Sequence, residues 1–510
     1  MTVTATDSGW ALPIVDGPTA AFALIQRACD AAGFDESGIC RRLGLADIVD
    51  FKSRREGRAE GQRVGDILDV LVDLFMDQVS VSSELVREAL GDDVVAALRV
   101  LGLVRADPRE STSLISTMLM YPTSGVLLTS DRTHLHLGDN GEPPPDIVYP
   151  AITRSASTFL RMLPQSRCDA FLELCAGGGV AALSMATRAR HVWSLDIAER
   201  ATGVAQFNAR LNAFDNVTTA QGDIFEPVHG LTFDRIVAHP PYVPSFEHRL
   251  IYRDGGADGE LITKRIVSEL PTFLRPGGRF VCNCIATDRS GAPLEARLRD
   301  WLGATQEEFD IVMAVTSTEH PSEFYFKNAI NGGMSFADAE RHHMAFKEMQ
   351  VELLVFGVFV IERHASPRAP GTLRLRRSPR TTGRELEQLC DWHARRDAPD
   401  LNSRMLSAFP RIDPSARLQT TQRLAGDRWG AEEYTLETTW PFATTLQCPK
   451  EVAQVLARCD GRRTLRQVMV ALRQKGLLNA RVPDDAVLRT LVTCVTAGAV
   501  HLEERPALTP

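Results

Sequence analysis

Four short strand-like units, the first two of them apolar runs and each closed by a turn or an acid, follow one another between Ala170 and Tyr242, and this repetition limits the fold more than any other stretch. Ala170 to Leu174 has the length and composition of a buried strand, and the turn Glu173-Leu-Cys-Ala-Gly-Gly-Gly179 leads from it into a helical stretch, Val180 to Thr187. His191 to Leu195 is a second run with Asp196 at its carboxyl end. Asn216 to Asp223 forms a third unit that again ends in an acid, and Phe233 to Ala238 is a fourth that delivers His239-Pro-Pro-Tyr242. Apolar runs of this kind imply an open α/β sheet, in which ligands bind beyond the carboxyl ends of the strands. Gly177 and Gly179 allow backbone to approach such a ligand closely.

A glycine turn followed about 20 residues later by an acid is also the dinucleotide fingerprint, so glycine spacing by itself does not choose between cofactors. The rest of the ladder does, because Asp223-Ile-Phe-Glu-Pro and His239-Pro-Pro-Tyr242 have no role in hydride transfer. The whole order resembles the class I S-adenosylmethionine-dependent methyltransferases. Its Pro-Pro-Tyr tetrad is similar to that of the amide, amine and base N-methyltransferases, including the release-factor glutamine methyltransferases and the small-domain RNA methyltransferases. The resemblance implies a Rossmann-like sheet, S-adenosyl-L-methionine as cofactor and no metal. It places Glu173, Cys175, Gly177, Gly179, Asp196, Ile197, Asp223 and Ile224 on the cofactor, with Asp196 on the ribose hydroxyls and Asp223 on the adenine amino group. His239, Pro240 and Tyr242 become the catalytic residues on the acceptor. Val148 to Thr158 would cover the cofactor, with Ser155 or Thr158 touching its methionine carboxylate. The loop Asp254 to Gly259 would border the substrate mouth, ahead of a helix from Glu260 to Leu270. A Leu274-Arg-Pro-Gly-Gly278 turn would then precede a strand from Arg279 to Cys284.

Two positions depart from the family pattern. His239 stands where Asn or Asp is usual, and a neutral imidazole accepts through one nitrogen only. It can position a planar nitrogen, act as general base for an amine or hydroxyl, or merely shape the loop while the carbonyls of His239 and Pro240 accept. Cys175 replaces the first glycine; the expectation is that it takes ordinary backbone angles and packs beneath the cofactor.

A chain of 510 residues exceeds one hydrophobic core, and 44% apolar with 24% charged residues is ordinary for a globular protein. The expected division is 1–145 as an N-terminal helical, winged-helix-like domain, 146–365 as the methyltransferase domain, 366–434 as linker, and 435–510 as a small α+β domain. In the first, helices are expected at Thr19 to Ala32, Val64 to Gln78, Ser83 to Leu90 and Asp92 to Leu101, with Ser82 or Ser83 as cap and Gly102 as stop. Strands should follow at Ser113 to Tyr121 and Gly125 to Thr129. Glu84, Glu88, Asp92 and Asp93 outweigh Arg87 and Arg99 across Ser83 to Arg99, so a scaffold or lid role is favoured over nucleic-acid binding. Asp139 to Pro145 reads as a stiff linker. The last catalytic strands are expected at Phe309 to Thr316 and Val351 to Ile361, around an insertion containing a helix from Phe336 to Gln350 that shapes specificity or serves as a cap or dimer element. Ala365 to Arg380, rich in Pro and Arg, reads as a further linker. The final part resembles small peptide-binding modules related to the PqqD chaperone, through Val452 to Leu465 and its Asp460-Gly-Arg-Arg-Thr464 turn.

Ten cysteines without a CxxC pair point to reduced thiols, and His134-Leu-His136 lacks the further ligands of a metal site. With no signal-like start and no apolar run of roughly 18 residues, a cytoplasmic enzyme without a membrane segment is expected. A net charge of −8 weighs against a polyanion partner. The expected function is N-methylation of a peptide, protein or small-metabolite acceptor, natural products included. The alternatives are an RNA base N-methyltransferase, an O-methyltransferase with His239 as base, and a non-catalytic regulator that senses adenosylmethionine. A homodimer is left open.

Overall fold

The computed structural model describes residues 11–51, 66–132, 145–246 and 250–503, and in it some of the N-terminal helices use caps that the sequence supplies. Helix α1 (Thr19–Ala32) stops at Gly33, whose φ of 65° ordinary residues rarely adopt. The Asp35 side chain accepts the Gly38 N–H at the start of α2 (Glu36–Leu43). Helix α3 (Ile67–Leu71) widens into a π-helical turn, Val72–Met76, and is followed by β1 (Val81–Ser82), α4 (Ser83–Leu90) and α5 (Asp92–Val100). Ser82 occupies the cap position of α4, but its side chain makes no capping bond. The expected single strand Ser113 to Tyr121 is divided between β3 (Glu110–Ser116), which joins β2 (Val104–Asp107) in a sheet of order β1-β3-β2, and β4 (Leu119–Thr123), which pairs with β5 (Val126–Ser130) in a separate hairpin. The Thr117 hydroxyl, donating to the Gly102 carbonyl, marks the break. Val64, His134, His136 and all of the Asp139 to Pro145 linker except Pro145 lie outside the described residues.

The catalytic ladder forms as its periodicity predicts. Helix α6 (Arg154–Arg161) precedes β6 (Cys168–Leu174), α7 (Val180–Met185), β7 (Ala189–Asp196), α8 (Glu199–Leu211), β8 (Val217–Gln221) and β9 (Phe233–Ala238). After α9 (Leu261–Phe273) comes β10 (Leu274–Arg289), which absorbs the expected turn. Leu274 pairs with Phe233 and Arg279 with Arg235, so Arg275 to Gly278 bulge out of one strand. Then follow α10 (Leu294–Trp301), β11 (Phe309–Glu319), α11 (Pro321–Ile330), α12 (Phe336–Glu348) and β12 (Val351–Arg363). Strand β12 is antiparallel to both of its neighbours, β10 and β11.

The sheet does not stop at residue 365. Strand β13 (Thr372–Arg377) runs parallel to β11, so Ala365 to Arg380 is not a linker. Arg374 is held by Asp288 at 2.7 Å and Glu295 at 3.0 Å, and Arg377 donates to the Thr316 hydroxyl. Helix α13 (Gly383–Arg395) packs Leu386, Leu389 and Cys390 into the same core as Phe171, Val192 and Val237. Beyond it lie α14 (Leu401–Ser407), β14 (Phe409–Ile412), β15 (Arg417–Ala425), β16 (Arg428–Thr438), β17 (Phe442–Gln447), α15 (Lys450–Leu456), α16 (Leu465–Gln474), α17 (Asp484–Thr496) and β18 (Val500–Glu503). The full order of the eleven-stranded sheet is β15-β16-β17-β13-β11-β12-β10-β9-β6-β7-β8. Strand β14 pairs with β18, so the last unit draws on residues before the expected boundary at 435, which falls inside β16. Among the described residues no helix is long and apolar enough to cross a membrane.

The N-terminal domain docks on α8, where Phe22 and Phe207 meet edge to face at 5.0 Å. Asn208, fully buried, joins three segments. Its Oδ1 accepts the Thr129 N–H at 2.7 Å and the Thr129 hydroxyl at 2.8 Å, while its Nδ2 donates to the carbonyls of Thr129 at 3.1 Å and Gly178 at 3.0 Å. Asn208→Ala leaves these groups unpaired in a dry interface and is expected to lower the unfolding free energy by about 2–4 kcal/mol in denaturant melts. A loss below about 1 kcal/mol would mean that the seam re-forms without the amide.

Candidate active site

Strand β6 has β9 on one side and β7 on the other, so the chain reverses its direction of progress across the sheet at this strand. Ligands bind at such a switch point. Three neighbouring strands end here in the Cys175 to Gly179 turn, Asp196 with Ile197, and Asp223 with Ile224.

Each acid has a definite partner. Glu173 is buried and accepts the Ala181 N–H at 3.1 Å and the Ala182 N–H at 2.7 Å, so its carboxyl braces the start of α7 from beneath the turn. Burial pushes its pKa up to about 8, against the lowering effect of those two N–H groups. Asp196 accepts the N–H groups of Gly177 at 2.8 Å and Ala198 at 2.9 Å, and burial raises its pKa as well. Asp223 is paired with Arg265 of α9 at 2.8 Å, a partner that the sequence did not announce.

The backbone is strained where these acids converge. Gly177 and Gly179 have φ of 53° and 80°. A Cβ on Gly177 would meet only open space, so glycine is there for conformation; one on Gly179 would crowd Ala205 and Ser194. Cys175 does not take ordinary angles: its φ is 53°, and only its packing against the core matches expectation. Ile224, buried and β-branched, has φ 54°. Non-glycine residues in this region cost of order 1–3 kcal/mol each and cluster at functional sites. Carboxylate oxygens at two strand ends beside an open left-handed glycine turn suit a ligand carrying hydroxyl and amino donors, as adenosylmethionine does.

On the acceptor side, His239 lies between two rings, Phe159 at 5.2 Å and Tyr242 at 5.4 Å, the latter stacked at 26°. Loss of hydration lowers its pKa to about 4, so the imidazole is neutral in the working pH range. Ser155, expected on the cofactor, instead has its Oγ 3.1 Å from His239 Nε2 and 2.7 Å from the Tyr242 hydroxyl. Thr158 is half-buried on the same helix. Pro240 is buried in the loop. The Asp254 to Gly259 loop packs directly behind this tetrad: Gly255 donates to the Val243 carbonyl at 2.9 Å, and a Cβ on Gly259 would lie 2.3 Å from the Tyr242 carbonyl oxygen. The α11 and α12 insertion reaches the same region, with His342 4.9 Å from Phe246 and stacked on Tyr325. Sequence reasoning missed Phe159 and Arg265. Phe159 had a signal, since it lies one helical turn beyond Ser155 on the same face.

A family described as a methyltransferase domain matches residues 166–351. Over 141 residues the chain is 33% identical to a putative protein N5-glutamine methyltransferase of Methanocaldococcus jannaschii, a match covering 26% of this chain and 70% of that protein. Over 117 residues it is 41% identical to a release factor glutamine methyltransferase of Moorella thermoacetica, covering 20% of this chain and 41% of the relative. Among solved structures it is similar to a ribosomal protein L11 methylase from Lactobacillus delbrueckii subsp. bulgaricus, with 14% identity, a TM-score of 0.25, and coverage of 41% of this chain and 77% of that one.

Two outcomes are expected from this geometry. Histidine NMR should show the His239 ring titrating with a midpoint near 4, far below the roughly 6.5 of a free imidazole. Because the folded value is depressed, the stability this ring contributes is present above about 6.5 and is lost as pH falls towards 4; a midpoint near 6.5 would mean that the ring keeps its hydration. At Cys175, substitution by Gly should leave stability within about 1 kcal/mol, relief of strain offsetting chain entropy, whereas β-branched Val should cost about 1–3 kcal/mol in thermal melts. Equal stability of the two variants would refute the strain.

Proposed function

Because the chain belongs to the class I S-adenosylmethionine-dependent methyltransferases, we propose that it N-methylates the side-chain amide of a glutamine in a protein acceptor. The observation that carries this reading is the neutral, ring-flanked His239 stacked beside Tyr242 at the switch point of the sheet. A planar amide stacks on Tyr242 and donates its N–H groups to the loop's acceptors, which turns its nitrogen towards the methyl group. Positioning is then the main rate term. An imidazole of pKa about 4 is a poor general base at neutral pH, which disfavours proton abstraction from a hydroxyl.

When bound, adenosylmethionine supplies an electrophilic methyl on a cationic sulfur. Transfer would form a nitrogen–methyl bond as the sulfur–methyl bond broke, with the electron pair left on sulfur and one amide proton released to solvent. Asp196 and Asp223 take the adenosine end, the turn Cys175 to Gly179 supplies close backbone, and Tyr242, Pro240 and His239 hold the acceptor. The relatives support the acceptor class through their names, as protein and release factor glutamine methyltransferases. The N-terminal domain serves as scaffold: Tyr121 accepts the Ala151 N–H at 2.7 Å, and the Asp131 carboxylate accepts the Val148 N–H at 2.9 Å, fixing the segment that leads into α6.

The test is incubation of the protein with methyl-labelled adenosylmethionine and three acceptor pools: glutamine-bearing proteins of the translation apparatus, RNA, and small metabolites. Label on a glutamine side chain, lost in Tyr242→Ala with cofactor affinity unchanged, is the expected result. Label in RNA or metabolites and none in protein would overturn the proposal.

A further inference from the structure

Ser155 has no place in the family's tetrad, yet its hydroxyl bridges both of the tetrad's outer side chains, at 3.1 Å from His239 Nε2 and 2.7 Å from the Tyr242 hydroxyl. It is not a swivelling surface serine. It sits in the first turn of α6, where the Thr153 side chain accepts the Ala156 N–H, and Phe159, one turn on, touches the same imidazole. Tyr121 anchors the backbone just ahead of the helix through the Ala151 N–H.

A serine hydroxyl has one proton to give and two lone pairs to accept with. The bridge therefore takes one of two forms at the ring. Either Nε2–H donates to Ser155, which donates to Tyr242 or accepts from it as well, or Tyr242 donates to Ser155, which donates to Nε2. In the second case the ring proton is on Nδ1, and the imidazole has only a donor left. An amide nitrogen also offers only donors, because its lone pair must face the methyl. Two donors cannot satisfy each other.

Resting on the amide-acceptor reading above, we infer that Ser155 is a positioning residue that keeps His239 in the tautomer protonated on Nε2, leaving Nδ1 as the ring's acceptor. One hydroxyl thereby restores to His239 the accepting role that Asn or Asp fills elsewhere in the family. Ser155 touches neither the migrating methyl nor the acceptor in this arrangement.

The test uses the full chain labelled with nitrogen-15 histidine, with His239→Gln identifying the resonance. The expected spectrum shows His239 protonated on Nε2 in the parent protein. It shows mixed or Nδ1-protonated tautomers in Ser155→Ala, and recovery in Ser155→Thr, which keeps the hydroxyl. In parallel, turnover of a glutamine acceptor in Ser155→Ala should fall by about ten- to a hundredfold with cofactor affinity unchanged, and Ser155→Thr should regain most of it. A parent ring protonated on Nδ1, or a tautomer unmoved by Ser155→Ala, overturns the inference. The spectrum needs no acceptor, so the expected tautomers together with no glutamine methylation would refute the acceptor class and leave the role of Ser155 intact.

Discussion

One buried amide, Asn208, holds the site in register. Its two ends use all of their hydrogen-bonding capacity on two segments, β5 of the N-terminal domain and the Gly178 carbonyl of the glycine turn. A turn with positive φ at Cys175, Gly177 and Gly179 has little intrinsic preference for a single shape. Bracing one of its carbonyls from the far side, across a dry seam, compensates for that freedom. The same domain fixes the approach to α6 through Tyr121 and Asp131, so one body positions both the cofactor turn and the helix that carries Ser155. The two halves of the site are aligned by a shared support more than by contact with each other.

Charge at the cofactor edge follows the same logic. Glu173 and Asp196 stand at the ends of adjacent strands, and burial raises the pKa of both. A carboxyl whose value rises from 4.5 to about 8 on folding costs stability as pH climbs through that interval, because the folded state resists its ionisation. An edge of this kind disfavours added negative charge and favours a positively charged ligand. Backbone N–H groups at the start of α7 and in the turn carry part of the compensation.

The parallel core was legible because its signals are local. Phe233–Ala238 ends in the apolar run Ile236-Val-Ala238, and the strand forms over the expected six residues although Asp234 and Arg235 interrupt its start. Asp196 and the His239 tetrad fell at strand ends for the same reason. What the sequence concealed depends on partners far away in the chain. Thr372–Arg377 looked like a basic linker, yet Leu373 and Leu375 alternate with arginines, and Arg374 is matched by Asp288 and Glu295, more than 75 residues distant. Cys175 was misjudged because its φ is imposed by the fold around it, against its own preference. The contact of Ser155 with His239 and Tyr242 was not legible, since it depends on how α6 lies against the tetrad loop.

The departure at His239 leaves several roles open in the sequence alone, since an imidazole has fewer acceptor sites than an amide or carboxylate. In the fold it is one part of a coordinated change. Phe159 and Tyr242 flank the ring, Ser155 occupies its Nε2, and the close approach of Gly255 and Gly259 fixes the backbone behind Tyr242. A side chain with one usable lone pair serves as a hydrogen-bond acceptor when its second nitrogen is tied off and its plane is fixed; Ser155 lies against Nε2, and Phe159 and Tyr242 hold the plane. Packing thus fixes an unusual residue at one end of the site, while at the other the backbone at Cys175 and Ile224 is strained beside Asp196 and Asp223.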